Sequence, residues 1–208
     1  MKPIVCFIDD SPFEHDLVAQ EIAPSAPDLG FVQAYTFSEA VDRLTPNTPA
    51  LFLLDLWGQD PEVAKPALTP MEELRQKVAG FPTLDEVYAG LTGFEGNLYN
   101  EYLKRLFTVM DCWRHLFEDA CNRVGQNRKY GLSNLAEARR RYPGTPAVFY
   151  TRKSLITDAV AMFRTGADGL FIKPTGSDDH HTRRLTREYA PQLLADLRQI
   201  MITKSKGD

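Results

Sequence analysis

The sequence predicts a doubly wound parallel α/β sheet with a helical insertion after its third strand. Three observations predict it. Short apolar runs of the buried-strand kind alternate with amphipathic helical segments, the rhythm of a parallel sheet covered on both faces. Four of these runs end on a polar residue: IVCFIDD (4–10), ALFLLD (50–55), AVFYT (147–151) and GLFIKP (169–174). After the third strand, about 70 residues intervene before the helix that the alternation calls for.

Residues 4–8 are continuously apolar and partly β-branched, a buried strand. Ser11 and Pro12 start a helix that runs to about Ile22 and gathers Leu17, Val18 and Ile22 on one face. PSAPDLG (24–30) breaks it, and FVQAYT (31–36) reads as an edge-like second strand. SEAVDRL (38–44) is a serine-capped amphipathic helix. TPNTP (45–49) turns the chain into the third strand. GLSNLAEARRRYP (131–143) is the delayed helix, and TPAVFYT leads into the fourth strand. LITDAVAMFRTGA (155–167) is a helix closed by Gly166, GLFIKP the fifth strand. A last helix over about 182–203 carries Leu185, Tyr189, Leu193, Leu194, Leu197 and Ile200 on its apolar face, ahead of a polar tail. Right-handed crossovers then place helices on both faces of the sheet.

The intervening stretch is itself helical. It contains short segments at Pro70–Val78 and Thr83–Leu91, the second capped by Thr83, and a long one at Glu95–Val124. Along the long segment Tyr99, Leu103, Leu106, Met110, Trp113, Phe117, Ala120 and Val124 recur at steps of three and four, a heptad-like stripe. Tyr102, Val109 and Leu116 widen it, which predicts packing inside a small helical bundle rather than a two-helix seam. The chain therefore divides into one domain over 1–58 and 131–208 and a helical insertion over 59–130.

Composition narrows the function. The chain has 208 residues, 43% of them hydrophobic, enough for a real core. A net charge of −4 and a pI near 5.6 give no electrostatic footprint for nucleic acid or an anionic membrane. The basic runs ARRRYP (138–143) and HHTRRLTRE (180–188) read as solvated helix faces. The chain enters a strand at once, without a signal peptide, and no apolar run approaches the roughly 20 residues of a membrane span. Three cysteines (Cys6, Cys112, Cys121) without metal-ligand spacing read as buried thiols in a reducing compartment. A cytoplasmic protein is expected.

Parallel sheets collect ligands at the carboxyl ends of their strands. That rule brings together Asp9, Asp10, Asp55, Thr151 and Lys173. Taken singly each has a bland explanation: Asp10 as a helix cap, Asp55 as a turn residue, Thr151 as a strand former, Lys173-Pro174 as a strand stop. Taken together they suit metal-assisted transfer of a phosphoryl group to an aspartate. Three carboxylates in one place repel unless a cation intervenes. Mg²⁺ takes oxygen ligands, needs few carboxylates and also binds phosphate oxygens. A carboxylate is an established nucleophile.

These residues resemble the receiver domain of two-component response regulators. The acidic pair follows the first strand, Asp55 the third, Thr151 the fourth and Lys173-Pro174 the fifth. The spacings of 45 residues from Asp10 to Asp55 and 22 from Thr151 to Lys173 are similar to the family's, as is GLSNLAEARRRYPGTPAVFYT. The resemblance covers 1–58 and 131–208. It implies a flavodoxin-like five-stranded sheet in the order 2-1-3-4-5, with Asp55 as phosphoacceptor. It implies Mg²⁺ held by Asp9, Asp10, Asp55 and the backbone carbonyl of Trp57, with Lys173 on the phosphoryl oxygens and the Thr151 hydroxyl on another of them. The phosphodonor would be a histidine kinase or phosphotransfer protein. The protein would then be a stand-alone signalling component rather than a turnover enzyme, with its output a contact to a downstream protein partner through the insertion or the fourth-to-fifth strand face, or carried by another chain. The insertion is also a candidate dimer surface, making a homodimer, or a lid over the site.

Three positions depart from the family pattern. Arg152 stands where a small residue is usual, and would crowd the phosphoryl group or add a second cation to it. Leu170 stands where an aromatic residue often reorients. Trp57 is bulkier than usual and is expected to shield a phosphoaspartate from water. Two alternatives remain open: an unphosphorylated receiver-like interaction module, favoured by Arg152, Leu170 and the insertion, and a metal-dependent phosphohydrolase. The second lacks the usual acid two places after the nucleophile, since Ser11 follows Asp9 and Trp57 follows Asp55 at that distance. His15, His115, His180 and His181 read as structural, and Glu72, Glu73, Asp85 and Glu86 as helix first-turn charges.

Overall fold

Five parallel strands form the main sheet in a computed structural model that describes residues 2–60, 62–152 and 156–205. The strands are β1 (Ile4–Ile8), β2 (Gly30–Ala34), β3 (Leu51–Leu54), β4 (Ala147–Thr151) and β5 (Gly169–Ile172). Their order is β2-β1-β3-β4-β5, the doubly wound order expected from the sequence. In register, Val5 stands beside Leu51, Ile8 beside Leu54, Leu54 beside Phe149 and Thr151 beside Ile172.

Alternation along each strand decides what covers each face. Val5, Phe7, Leu51, Leu53, Val148 and Tyr150 point to one face. There they pack against Val18 and Ile22 and against Leu193, Leu194 and Leu197 of α8 (Asp179–Ser205). On the other face Phe52 meets Phe37 of α2 (Phe37–Leu44) and Tyr142, with ring centroids 5.3–5.9 Å from Phe52. Leu135 and Ala138 of α6 (Lys129–Arg141) are buried as well. Each large apolar side chain removed from water contributes about 1.5–3 kcal/mol, so the sheet core rather than helix propensity holds this part together.

Local signals set the element ends. Ser11 accepts the Glu14 amide at the start of α1 (Pro12–Leu17), and Pro12 fills its first turn. Beyond Leu17 the helix widens into a π-turn over Val18–Ile22 and closes with a 3₁₀ turn at Ala23–Ser25. The expected α-helix to Ile22 is thus α-helical for six residues only. Thr36 caps α2, two residues earlier than the serine cap expected at Ser38. Helix α7 covers Ile156–Arg164, and Gly166 follows it with φ +93°, where a side chain would be strained. The first residue of the expected 155–167 segment lies outside the described residues.

The chain divides into two compact units, one of Met1–Asp60 with Asn127–Asp208 and one of Pro61–Gln126. The second unit holds α3 (Met71–Ala79), α4 (Leu84–Tyr88) and α5 (Leu98–Arg123). Thr83 and Glu86 make a full capping box at the start of α4, as the Thr83 cap predicted. Arg105 of α5 donates to the Val87 and Ala89 carbonyls at the end of α4, at 3.1 and 2.5 Å. Lys77 of α3 pairs with Asp119 of α5 at 3.0 Å. Phe81 meets Trp113 edge-on at 5.2 Å between centroids. The heptad-like stripe of α5 is not packed inside a bundle: Tyr99, Leu103, Met110, Trp113 and Phe117 are exposed, while Tyr102, Val109 and Leu116 are the half-buried side. Periodicity placed these residues on common faces; the two short helices α3 and α4 supply too little surface to cover both faces of α5.

Among the described residues no helix is long and apolar enough to cross a membrane.

Candidate functional site

The ladder hydrogen bonds run one residue past the strands. Asp55 N donates to Ile8 O at 2.9 Å, Asp9 N to Ala34 O at 3.2 Å and Lys173 N to Thr151 O at 3.0 Å. Asp9, Asp55 and Lys173 therefore leave the sheet edge at nearly one level. Carboxylate oxygens of Asp9, Asp10 and Asp55 lie within 4.8 Å of one another. The five polar residues that end the strands do converge.

Lys173 is the cation of the group. Its Nζ stands 2.5 Å from Asp9 Oδ2, 2.9 Å from Asp55 Oδ1 and 3.6 Å from Glu14 Oε2. Burial alone would lower its pKa, but Asp55, Asp9 and Glu14 together outweigh burial and raise it, so it stays charged. Burial pushes the Asp55 carboxyl up to about 6 against the pull of Lys173, with Asp9 adding to the rise. Asp9 is raised for the same first reason. Asp55 remains 7% exposed, so the carboxylate is recessed but reachable.

The flanking contacts fix each acid. Asp9 Oδ1 accepts the Ser11 amide at 2.8 Å and Asp10 Oδ2 the Gln59 amide at 2.8 Å. Thr151 is buried beside Asp55, where its hydroxyl helps to hold the Asp55 carboxyl down against the rise that burial causes. Trp57 is buried two residues after Asp55. His15 is satisfied inside the fold, with Nε2 2.9 Å from Asp9 O and Nδ1 2.8 Å from Gln33 Oε1.

Arg152 does not face Asp55 directly. Its Nη2 lies 2.6 Å from Glu14 Oε1, and its guanidinium lies 5.7 Å from the Phe13 ring centre. Glu14 is the residue that sequence reasoning missed. A lone glutamate in a helix first turn carries no signal; only its register on α1, four residues past Asp10, aims it at Lys173 and Arg152. The cluster then holds four carboxylates (Asp9, Asp10, Glu14, Asp55) against two cations (Lys173, Arg152), two negative charges in excess. That donor set, hard oxygens with a surplus charge of two, fits a divalent cation such as Mg²⁺.

Gly131 and Tyr130 were also missed. A Cβ on Gly131 would sit 2.4 Å from Asp55 O and 2.5 Å from Leu56 Cα, and Gly131 N donates to Leu56 O at 3.0 Å. Only a glycine lets α6 lie this close to the backbone carrying the acid. Gly58 similarly faces the Tyr130 ring, 2.5 Å from where its own Cβ would be. The Tyr130 hydroxyl donates to Tyr35 O at 2.7 Å, and burial, then the Asp9, Asp10 and Asp55 charges, raise its pKa, so it stays protonated. Asp60 and Asn127, where the main-sheet unit breaks and resumes, are tied side chain to side chain at 2.7 Å.

No protein-family model and no curated protein matches the sequence. Solved structures do match. The chain superposes on a CheY-like response regulator receiver domain protein from Methanospirillum hungatei with a TM-score of 0.51 at 13% identity, covering 100% of both chains. It matches the response regulator domain of Thermotoga maritima CheB with a TM-score of 0.50 at 19% identity, over 97% of each chain. It matches NtrX from Brucella abortus, solved with ADP, with a TM-score of 0.53 at 16% identity, covering all of this chain but 29% of that one. The protein has the fold of receiver domains: a flavodoxin-like five-stranded parallel sheet with helices around it and a long helix after the third strand.

Proposed function

We propose that the protein is an atypical response regulator in which Asp55 accepts a phosphoryl group from a histidine kinase or phosphotransfer protein. The observation that carries this reading is the meeting of Asp9, Asp10 and Asp55 within 4.8 Å of one another, with Lys173 Nζ 2.9 Å from Asp55. Above about pH 6 Asp55 is mostly ionised and able to attack. Its oxygen forms the new bond to phosphorus while the bond from phosphorus to the donor's leaving group breaks, and the donor leaves with that electron pair. Asp9, Asp10, Asp55 and the Trp57 carbonyl would hold Mg²⁺, which when bound neutralises charge on the acids and the phosphoryl oxygens. Lys173 supplies the positive charge opposite. The Thr151 hydroxyl, buried beside the acid, is a donor that an arriving phosphoryl oxygen takes over.

In this reading residues 1–58 and 131–208 are the receiver and 59–130 an inserted subdomain, the protein is cytoplasmic, and its output is a protein–protein contact. It accepts one group rather than turning over a substrate. The buried Trp57 beside the acid shields the acyl phosphate, so Trp57→Ala is expected to shorten its half-life severalfold; an unchanged half-life removes that role.

A second reading, an unphosphorylated receiver-like module, is favoured by one observation: Lys173 already bridges Asp9 and Asp55. Acetyl phosphate with Mg²⁺, read by intact mass, separates the two. The proposal expects gain of one phosphoryl group, lost on chelation of the metal and in Asp55→Asn. No gain with fresh acetyl phosphate leaves the module.

A further inference from the structure

Helix α5 carries an apolar face that is symmetric about one residue. Tyr99, Leu103, Phe107, Met110, Trp113 and Phe117 lie on it, between 41% and 78% exposed. Counted from Met110, Phe107 and Trp113 stand three residues to either side, and Leu103 and Phe117 seven. On a helix of 3.6 residues per turn these offsets fall on one stripe. An antiparallel copy of the same helix, crossing at Met110, would set Phe107 against Trp113 and Leu103 against Phe117, twice over. A two-fold interface is self-complementary in this way.

We infer that α5 is a homodimerisation surface, and that a second copy of this chain packs on it antiparallel with Met110 on the two-fold axis. The flanking charges agree. Lys104, Asp111 and Glu118 recur every seven residues along one border of the stripe. Antiparallel pairing brings Lys104 of each copy to Glu118 of the other, two symmetric ion pairs. Parallel pairing would put the two Lys104–Asp111–Glu118 borders on opposite sides of the seam, where they cannot pair with each other. Antiparallel pairing does bring the two Asp111 side chains together, but each has Arg114 beside it at 3.2 Å, which also reaches Glu118 at 3.3 Å.

The area is adequate. Six half-exposed large side chains offer roughly 600 Å² per copy, against about 800 Å² per partner in an ordinary stable interface. The stems of the long border side chains such as Lys104 add to it. A continuous apolar strip of this size is at the top of the range that a monomer usually leaves in water, where such patches are often functional. The inference is independent of the phosphoacceptor reading, since it uses no residue of the acidic pocket.

Sedimentation velocity of the full chain over a range of concentrations tests it. A dimer that dissociates in the micromolar range is expected, and a monomer at high micromolar concentration overturns the inference. Met110→Lys sets two ammonium groups together on the axis and should weaken the dimer by on the order of a hundredfold. Lys104 is exposed, so its replacement leaves the fold intact. Lys104→Glu and Glu118→Lys should each weaken the dimer about tenfold, and the double swap should restore it. Failure of the swap to restore, or self-crosslinking of Leu103→Cys in a Cys112→Ser background where Met110→Cys fails, would contradict the antiparallel arrangement.

Discussion

Lys173 Nζ lies within 2.9 Å of both Asp9 and Asp55, and the three are almost entirely buried. Lys173→Met is therefore predicted to leave uncompensated buried acids and to cost about 3–5 kcal/mol, measured by urea unfolding without divalent ions. Asp55 makes a pH prediction. Its folded pKa is raised to about 6 by burial, above the ordinary value of about 3.9. A raised pKa means the contribution to stability is fully present below about pH 4 and is lost as pH rises through about 6. Asp55→Asn escapes this loss, so its stability relative to wild type should climb by about 2–3 kcal/mol between pH 4 and pH 7. A difference that stays flat would mean that burial does not perturb Asp55. The five strand-end residues were legible because each terminates an apolar run. Glu14 was not: what makes it part of the cluster is the angle at which α1 leaves β1, and a sequence does not state that angle.

At the scale of elements, α6 meets the end of β3 through Gly131, which has no room for a side chain against Asp55 O and Leu56 Cα. Gly131→Ala must push backbone against backbone. It is predicted to cost roughly 1–3 kcal/mol in urea unfolding and to slow phosphorylation of Asp55 by acetyl phosphate, because the carbonyl it displaces belongs to the acceptor. An exposed-helix glycine would instead gain stability from the same change. Strand and helix order was readable from periodicity alone, as were the Thr83 cap and the Gly166 stop. The π-turn after Leu17 was not, because Val18 and Ile22 suit an α-helix equally well and the widening is decided by packing against the sheet and α8.

At the scale of the molecule, the chain joins a receiver-like sheet to a separate helical unit. The sequence marked the insertion by the broken alternation after Asp55. It also marked the faces of α5, but not which one is covered, since a hydrophobic stripe names no neighbour. The account stands or falls on which carboxylate takes the phosphoryl group. Asp9, Asp10 and Asp55 are close enough that a mass gain alone does not name the acceptor. The direct measurement treats the phosphorylated protein with borohydride, which reduces an acyl phosphate to the alcohol, and locates the new homoserine by peptide sequencing. The account predicts homoserine at position 55 alone; homoserine at position 9 or 10, or at no position in protein that had gained the phosphoryl mass, would contradict it.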